Sequence, residues 1–155
     1  MSRLHFEDFP PGEVVRYGDV EVSAVAIKAF AEQFDPQPFH LDEVAARETQ
    51  AGGLIASGWH TAAMLMRMNC DHFLNHSTSQ GAPGIAEVAW LKPVQPGDRL
   101  SVRRTTLDAR PSASRPELGI VEFSFEVLNH LGEVTMTQKN VMLFKRRPPD
   151  AETAP

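Results

Sequence analysis

The sequence predicts an α+β fold in which a curved antiparallel sheet wraps one long buried helix. Two observations carry this. Residues 59–74 are full of Ala, Met and Leu and hold one basic residue, Arg67, in their first twelve positions. A helix that is apolar nearly all round is buried nearly all round, and this one would span about 24 Å at 1.5 Å per residue. Four segments then read as strands: 85–94, 100–107, 119–128 and 134–144. The third is the clearest, with Val121, Phe123, Phe125 and Val127 alternating against Glu122, Ser124 and Glu126.

The elements follow in order. Pro10-Pro11-Gly12 is a turn. Residues 14–22 read as a short strand or two. Ser23 is placed as an N-cap for an amphipathic helix over 24–34, with Val25, Ile27, Ala29, Phe30 and Phe34 as its apolar positions. Pro36 and Pro38 stop that helix, because each lacks a donor and restricts its predecessor. The stretch 35–40 is therefore expected as an extended or turned loop, followed by a short helix over 41–47 and a flexible break at Gly52-Gly53. Ser57 and Gly58 fall at the N-cap and first turn of the long helix, and Met64, Met66 and Met68 are expected as core filling. Turns are expected at 93–98 and 129–132 and an exposed loop at 110–117. Residues 1–155 are expected to form a single domain with its core over about 10–145 and a frayed tail over 146–155.

Composition narrows the function classes. The chain has 155 residues, 42% hydrophobic and 23% charged, as expected of a globular protein. A domain of this size buries enough surface to fold without disulfides or metal. The formal net charge is −5, from 15 Lys+Arg against 20 Asp+Glu. This argues against broad nucleic-acid binding, which needs a basic face. The single Cys70 excludes an internal disulfide and a cysteine-based zinc site. No apolar run approaches the ~20 residues of a membrane span, and Met1–Asp8 has no apolar signal core. A cytoplasmic location is expected.

Two groups of residues can carry chemistry. Asp35 and His40 flank the double-proline stretch. Such a pair can share a bound water and move its proton, since the carboxylate accepts and an imidazole ordinarily titrates near neutral pH. The alternative is structural, with Asp35 capping a turn and His40 the next helix. At the start of the long helix, Gly58 lets a ligand approach bare N–H groups where the helix dipole is positive. That suits a carbonyl oxygen that gains charge during reaction. The alternative is a close backbone crossing. His60 and His72 read as satisfied core or surface histidines, with no second ligand at metal spacing. Ser57 lacks the context of a nucleophilic serine.

Taken together, these residues resemble the MaoC-like dehydratases, a family that includes the (R)-specific enoyl-CoA hydratases. The family's motif runs Asp-x-Asn-Pro-x-His-x-Asp, and here it reads Asp35-Pro36-Gln37-Pro38-Phe39-His40-Leu41-Asp42. About seventeen residues on, Leu54-Ile55-Ala56-Ser57-Gly58-Trp59 stands where the family has an apolar pair and a His-Gly step. Lys92-Pro93-Val94-Gln95-Pro96-Gly97-Asp98 looks like its turn between strands. Gln37 replaces the family's Asn and Ser57 its His. Ala62 or Ala63 stands where some hydratases carry a serine.

The resemblance implies the hotdog fold, a homodimer or higher homo-oligomer, and reversible hydration of a trans-2-enoyl-CoA to a 3-hydroxyacyl-CoA. It makes Asp35, His40 and Gly58 catalytic and places Gln37, Pro38, Phe39, Ser57 and Trp59 around the substrate. It requires no cofactor, coenzyme A (or an acyl carrier) being part of the substrate, and no metal. Arg103, Arg104, Arg110 and Arg115 are the candidates for the carrier's phosphates. Two other readings remain open: a hotdog thioesterase, and a non-catalytic acyl-thioester binder. Many thioesterases of this fold use a carboxylate on the central helix. None lies between Trp59 and Cys70, and Asp71 sits near the far end.

Overall fold

Alternating burial along the chain builds one antiparallel sheet of five strands: β1 Val14–Glu21, β2 Ile85–Trp90, β3 Arg99–Pro111, β4 Leu118–Leu128 and β5 Val134–Lys145. The strand order is β1-β3-β4-β5-β2, so β1 and β2 form the edges. These coordinates come from a computed structural model, which describes residues 2–149. On β4 the inward residues Val121, Phe123, Phe125 and Val127 are fully buried, as the alternation predicts. Phe9, Phe73 and Phe144 pack their rings around Phe123 with centroids 5.6–6.3 Å apart.

Against the concave side lies α4, Gly58–His72, the central helix of the hotdog fold. Met64, Leu65 and Met68 join the core, and His60, Thr61 and Asn69 are buried beside them. The helix is not buried all round. Trp59 is 57% and Met66 43% exposed, so Met66 does not fill the core. Uncharged is not the same as covered, and a single chain leaves one face of this helix open.

Three shorter helices precede it: α1 Ala24–Phe34, α2 Pro38–Leu41 and α3 Glu43–Arg47. Ser23 caps α1 as expected, its Oγ accepting from the Ala26 N–H at 3.1 Å. The loop expected over 35–40 is corrected at its second half, where Pro38 opens a helical turn. Proline at a first helical position loses no hydrogen bond and brings the right φ.

β2 ends at Trp90 instead of Val94, because the Leu91 and Lys92 N–H groups both turn to the Thr135 carbonyl. The expected frayed tail is corrected at its start. The Arg146 N–H donates to Glu117 O at 2.9 Å, and Arg147 Nη2 reaches the Asp8 carboxylate at 2.6 Å. Residues 150–155 lie outside the described residues.

Arg104 is the other surprise. It continues the inward series Leu100 and Val102 on β3 and lies 4% exposed in the core. Its guanidinium sits 4.5–5.3 Å from the ring centroids of Phe9, Phe73 and Phe123 and bonds Glu13 at 3.0 Å. Stacking on aromatic faces and one carboxylate offset part of the cost of burying the charge.

Candidate active site

The C-terminus of α1, the turn of α2 and the N-terminus of α4 meet at one point. Asp35 ends α1, and its carboxylate takes three neighbours. Ser57 Oγ donates to Oδ2 at 2.6 Å, Gln37 Nε2 donates to Oδ1 at 2.7 Å, and His40 Nε2 stands 3.3 Å from Oδ2. The Ser57 and Gln37 donors, joined by the nearby imidazole, hold the Asp35 carboxyl below the ordinary carboxylate range.

His40 is buried, and its Nδ1 lies 2.7 Å from the Ile55 carbonyl. A carbonyl only accepts, so Nδ1 carries a proton and Nε2 is left to face Asp35. With Nδ1 given to the Ile55 carbonyl, Nε2 and Asp35 Oδ2 stand side by side at the cavity, 3.3 Å apart, where both can bond one water.

Ser57 is fully buried and does two jobs. Its Oγ accepts from the Trp59 N–H at 3.3 Å while its proton goes to Asp35. The Ser57 carbonyl takes the N–H groups of His60 and Thr61. Of the first turn of α4, the Gly58 N–H is therefore the donor left over, where the helix dipole adds positive character.

Asp35, His40, Gln37, Gly58 and Trp59 line one cavity of about 390 Å³, a size in the range of small-molecule sites. Lys92, Pro93 and Val94 bring the 92–98 turn to the same wall. Three expected substrate contacts lie elsewhere. Ser57 is turned to Asp35 and does not line the cavity, and Pro38 serves as the first residue of α2. Phe39 lines a neighbouring groove with Gln50, Ile55 and Pro93, its ring against that of His40 at 4.3 Å.

The arginines suggested for phosphate are also elsewhere. Arg104 is in the core, while Arg103, Arg110 and Arg115 pair with Glu126, Asp108 and Glu117. The cation on the cavity wall is Lys92, which pairs with Glu133.

His60 and His72 stand apart from the site. His60 stacks on Phe30 at 4.8 Å, and its Nδ1 is buried without a partner among the described residues, so it is not the satisfied histidine expected. Burial holds its pKa down. His72 is exposed and stacks on Tyr17 at 4.1 Å.

Trp90 is the residue that sequence reasoning missed. Its indole packs on Gly58 so closely that a Cβ there would lie 2.5 Å from the ring. Its Nε1 donates to the Gly58 carbonyl at 2.9 Å, and its ring meets that of Trp59 edge-on at 5.0 Å. The lack of a side chain at position 58 thus accommodates a tryptophan from 32 residues away. The only sequence signal was a large aromatic residue at a strand end beside a proline turn.

Among the described residues, no helix is long and apolar enough to cross a membrane, and no group of three or more His, Cys, Asp or Glu side chains is placed to hold a metal ion.

Comparison with known proteins bears on the fold and the family. The solved structure of a MaoC-like dehydratase from Rhodospirillum rubrum is 44% identical, with a TM-score of 0.84 over 94% of this chain and 99% of that one. An (R)-hydratase from Pseudomonas aeruginosa, at 20% identity, shares the fold with a TM-score of 0.75 over 94% of this chain and 88% of its own. An uncharacterized protein of Bacillus subtilis (strain 168), YdeM, is 30% identical over 142 residues, 92% of this chain and 94% of that protein. The family model described as MaoC like domain matches residues 7–121, which include Asp35, His40, Gly58 and Trp90, and the chain belongs to that family of MaoC-like dehydratases.

Proposed function

We propose that the protein catalyses reversible hydration of a trans-2-enoyl thioester to a 3-hydroxyacyl thioester. The observation that carries this reading is the meeting of the Asp35/His40 pair and the spare Gly58 amide on one cavity. Family membership supports the same reaction type.

One water donates a hydrogen bond to Asp35 Oδ2 and another to His40 Nε2. Its oxygen bonds to C3 of the acyl chain as Asp35 takes a proton, and that proton is delivered to C2. The C2–C3 double bond is consumed, one water is added, and the pair ends as it began. Between the two transfers, negative charge gathers on the thioester oxygen. The Gly58 N–H meets it there, a contribution of about 3 kcal/mol for such donors. The reaction balances with water alone.

The carrier is coenzyme A or an acyl carrier, and the chain works as a homodimer or a higher homo-oligomer. Edge strands left open favour pairing between copies. Apolar residues exposed on α4 and β2 (Trp59, Met66, Ile85, Trp90) support this.

The test is a panel of trans-2-enoyl-CoA substrates followed by loss of the enoyl absorbance, beside a free-thiol assay. Absorbance loss without thiol release is expected. Thiol release instead would make the protein a thioesterase, and silence in both assays would make it a binder. The structure lends the thioesterase reading no carboxylate near the cavity on α4, since Asp71 lies at the far end and pairs with Arg67 at 2.9 Å.

A further inference from the structure

We infer that Trp90 is a positioning residue for the amide at Gly58 and the wall that limits acyl size beside it. This rests on the hydratase reading above. Catalysis by an amide donor needs the N–H held where the oxygen gains charge, before it does so. The first residue of a helix is a weak place for such a donor, because helix ends fray. Trp90 supplies what the helix end lacks. Its ring packs so close to Gly58 that a Cβ there would lie 2.5 Å from it, and its Nε1–H donates to the Gly58 carbonyl at 2.9 Å.

Trp90 is itself held from behind. It is the last residue of β2, registered opposite Met136 of β5, and the next two N–H groups both bond the Thr135 carbonyl. The clamp is therefore mounted on a strand and not on a loop. Trp90 also lines the cavity with Trp59, so the ring that fixes Gly58 occupies volume that a bulkier acyl group would need.

Two variants separate these roles. Trp90→Phe keeps an aromatic ring beside Gly58 and removes the indole donor. Trp90→Ala removes both donor and wall. With a four-carbon trans-2-enoyl-CoA, Trp90→Phe should lower kcat about tenfold, the effect of one hydrogen bond, with little change in KM. Trp90→Ala should lower kcat further, raise KM for the short substrate, and improve the relative rate on longer or branched enoyl thioesters.

A second readout does not depend on turnover. In protein labelled with ¹⁵N-glycine, saturated butanoyl-CoA should shift the Gly58 amide resonance in the wild type and shift it much less in Trp90→Phe. If the wild type hydrates no enoyl thioester but this amide response is seen and then weakened, the hydratase reading falls and the positioning role stands. Wild-type kcat in Trp90→Phe, or no Gly58 response to butanoyl-CoA in the wild type, would overturn the role. A loss in both variants that follows melting temperature alone, with acyl preference unchanged, would also overturn it.

Discussion

Replacing Ser57 with alanine should cost more stability than a lost helix cap, and the excess should depend on pH. Its buried hydroxyl accepts from the Trp59 N–H and donates to Asp35 Oδ2. Losing the cap costs about 1 kcal/mol. Losing a hydrogen bond to a charged group costs about 1.5–3 kcal/mol. The Asp35 side chain is 17% exposed, so water can compensate in part and the lower figure applies. The expected loss at pH 7 is about 2.5 kcal/mol as the sum of the two.

The sign of the pH dependence follows from linkage. The Asp35 carboxyl is held below its unfolded value, chiefly by Ser57. Its contribution is present above the unfolded value of about 3.9 and is lost as pH falls through the lower folded value. Ser57→Ala reduces that depression. Urea unfolding of both proteins should show the full gap at pH 7 and a gap shrinking toward the cap alone as the medium is acidified below pH ~4. The acid limb of kcat/KM, where Asp35 gains a proton, should move up in the variant. A gap under about 0.5 kcal/mol at pH 7, within the range of an ordinary surface change, or one constant with pH, would refute the reasoning. Gln37→Leu is the matched control, since it removes the Gln37 hydrogen bond to Asp35 while Gln37, at the N-cap of α2, makes no side-chain cap bond to lose.

Further outcomes follow from other parts of the molecule. Asp35→Asn and His40→Ala should each lower kcat on a good enoyl thioester at least ~10²-fold, and the double variant should be little worse, because the two act on one water. Glu13→Ala should destabilise by more than a surface change in denaturant unfolding, since it strips the buried Arg104 of its carboxylate, whereas Arg104→Met should be near neutral or stabilising. Light scattering at micromolar concentration should give a dimer or larger, and a stable monomer would refute pairing through the exposed edge and helix face.

What could be read from the sequence was what is local. Ser23 capping α1, the four strands after α4 and the inward face of β4 rest on periods of two to four residues, and each is in place. Asp35 and His40 are five residues apart, so their proximity was legible too. The errors share a cause. Arg104 reads as a surface cation until three aromatic rings from distant segments surround it. Met66 reads as core until the helix turns that side outward. Ser57 reads as a cap because its cap partner is two residues away, while Asp35 is 22 residues away across the fold.

Gly58 shows how far this reaches into the interpretation of a variant. From sequence, a glycine there keeps space open for a ligand, and a valine would test the amide by crowding the carbonyl. In the structure the side-chain direction at Gly58 is already filled by Trp90, which a Cβ would meet at 2.5 Å, while the residue still lines the cavity. Even Gly58→Ala must displace an indole that also donates to the Gly58 carbonyl, lines the cavity and packs against Trp59. Loss of activity there reports the aromatic wall and the amide together and cannot assign the contact to either. The residue to change is the tryptophan, because its donor can be removed while its shape is largely kept. A role that belongs to the backbone of one residue is thereby reached through the side chain of another.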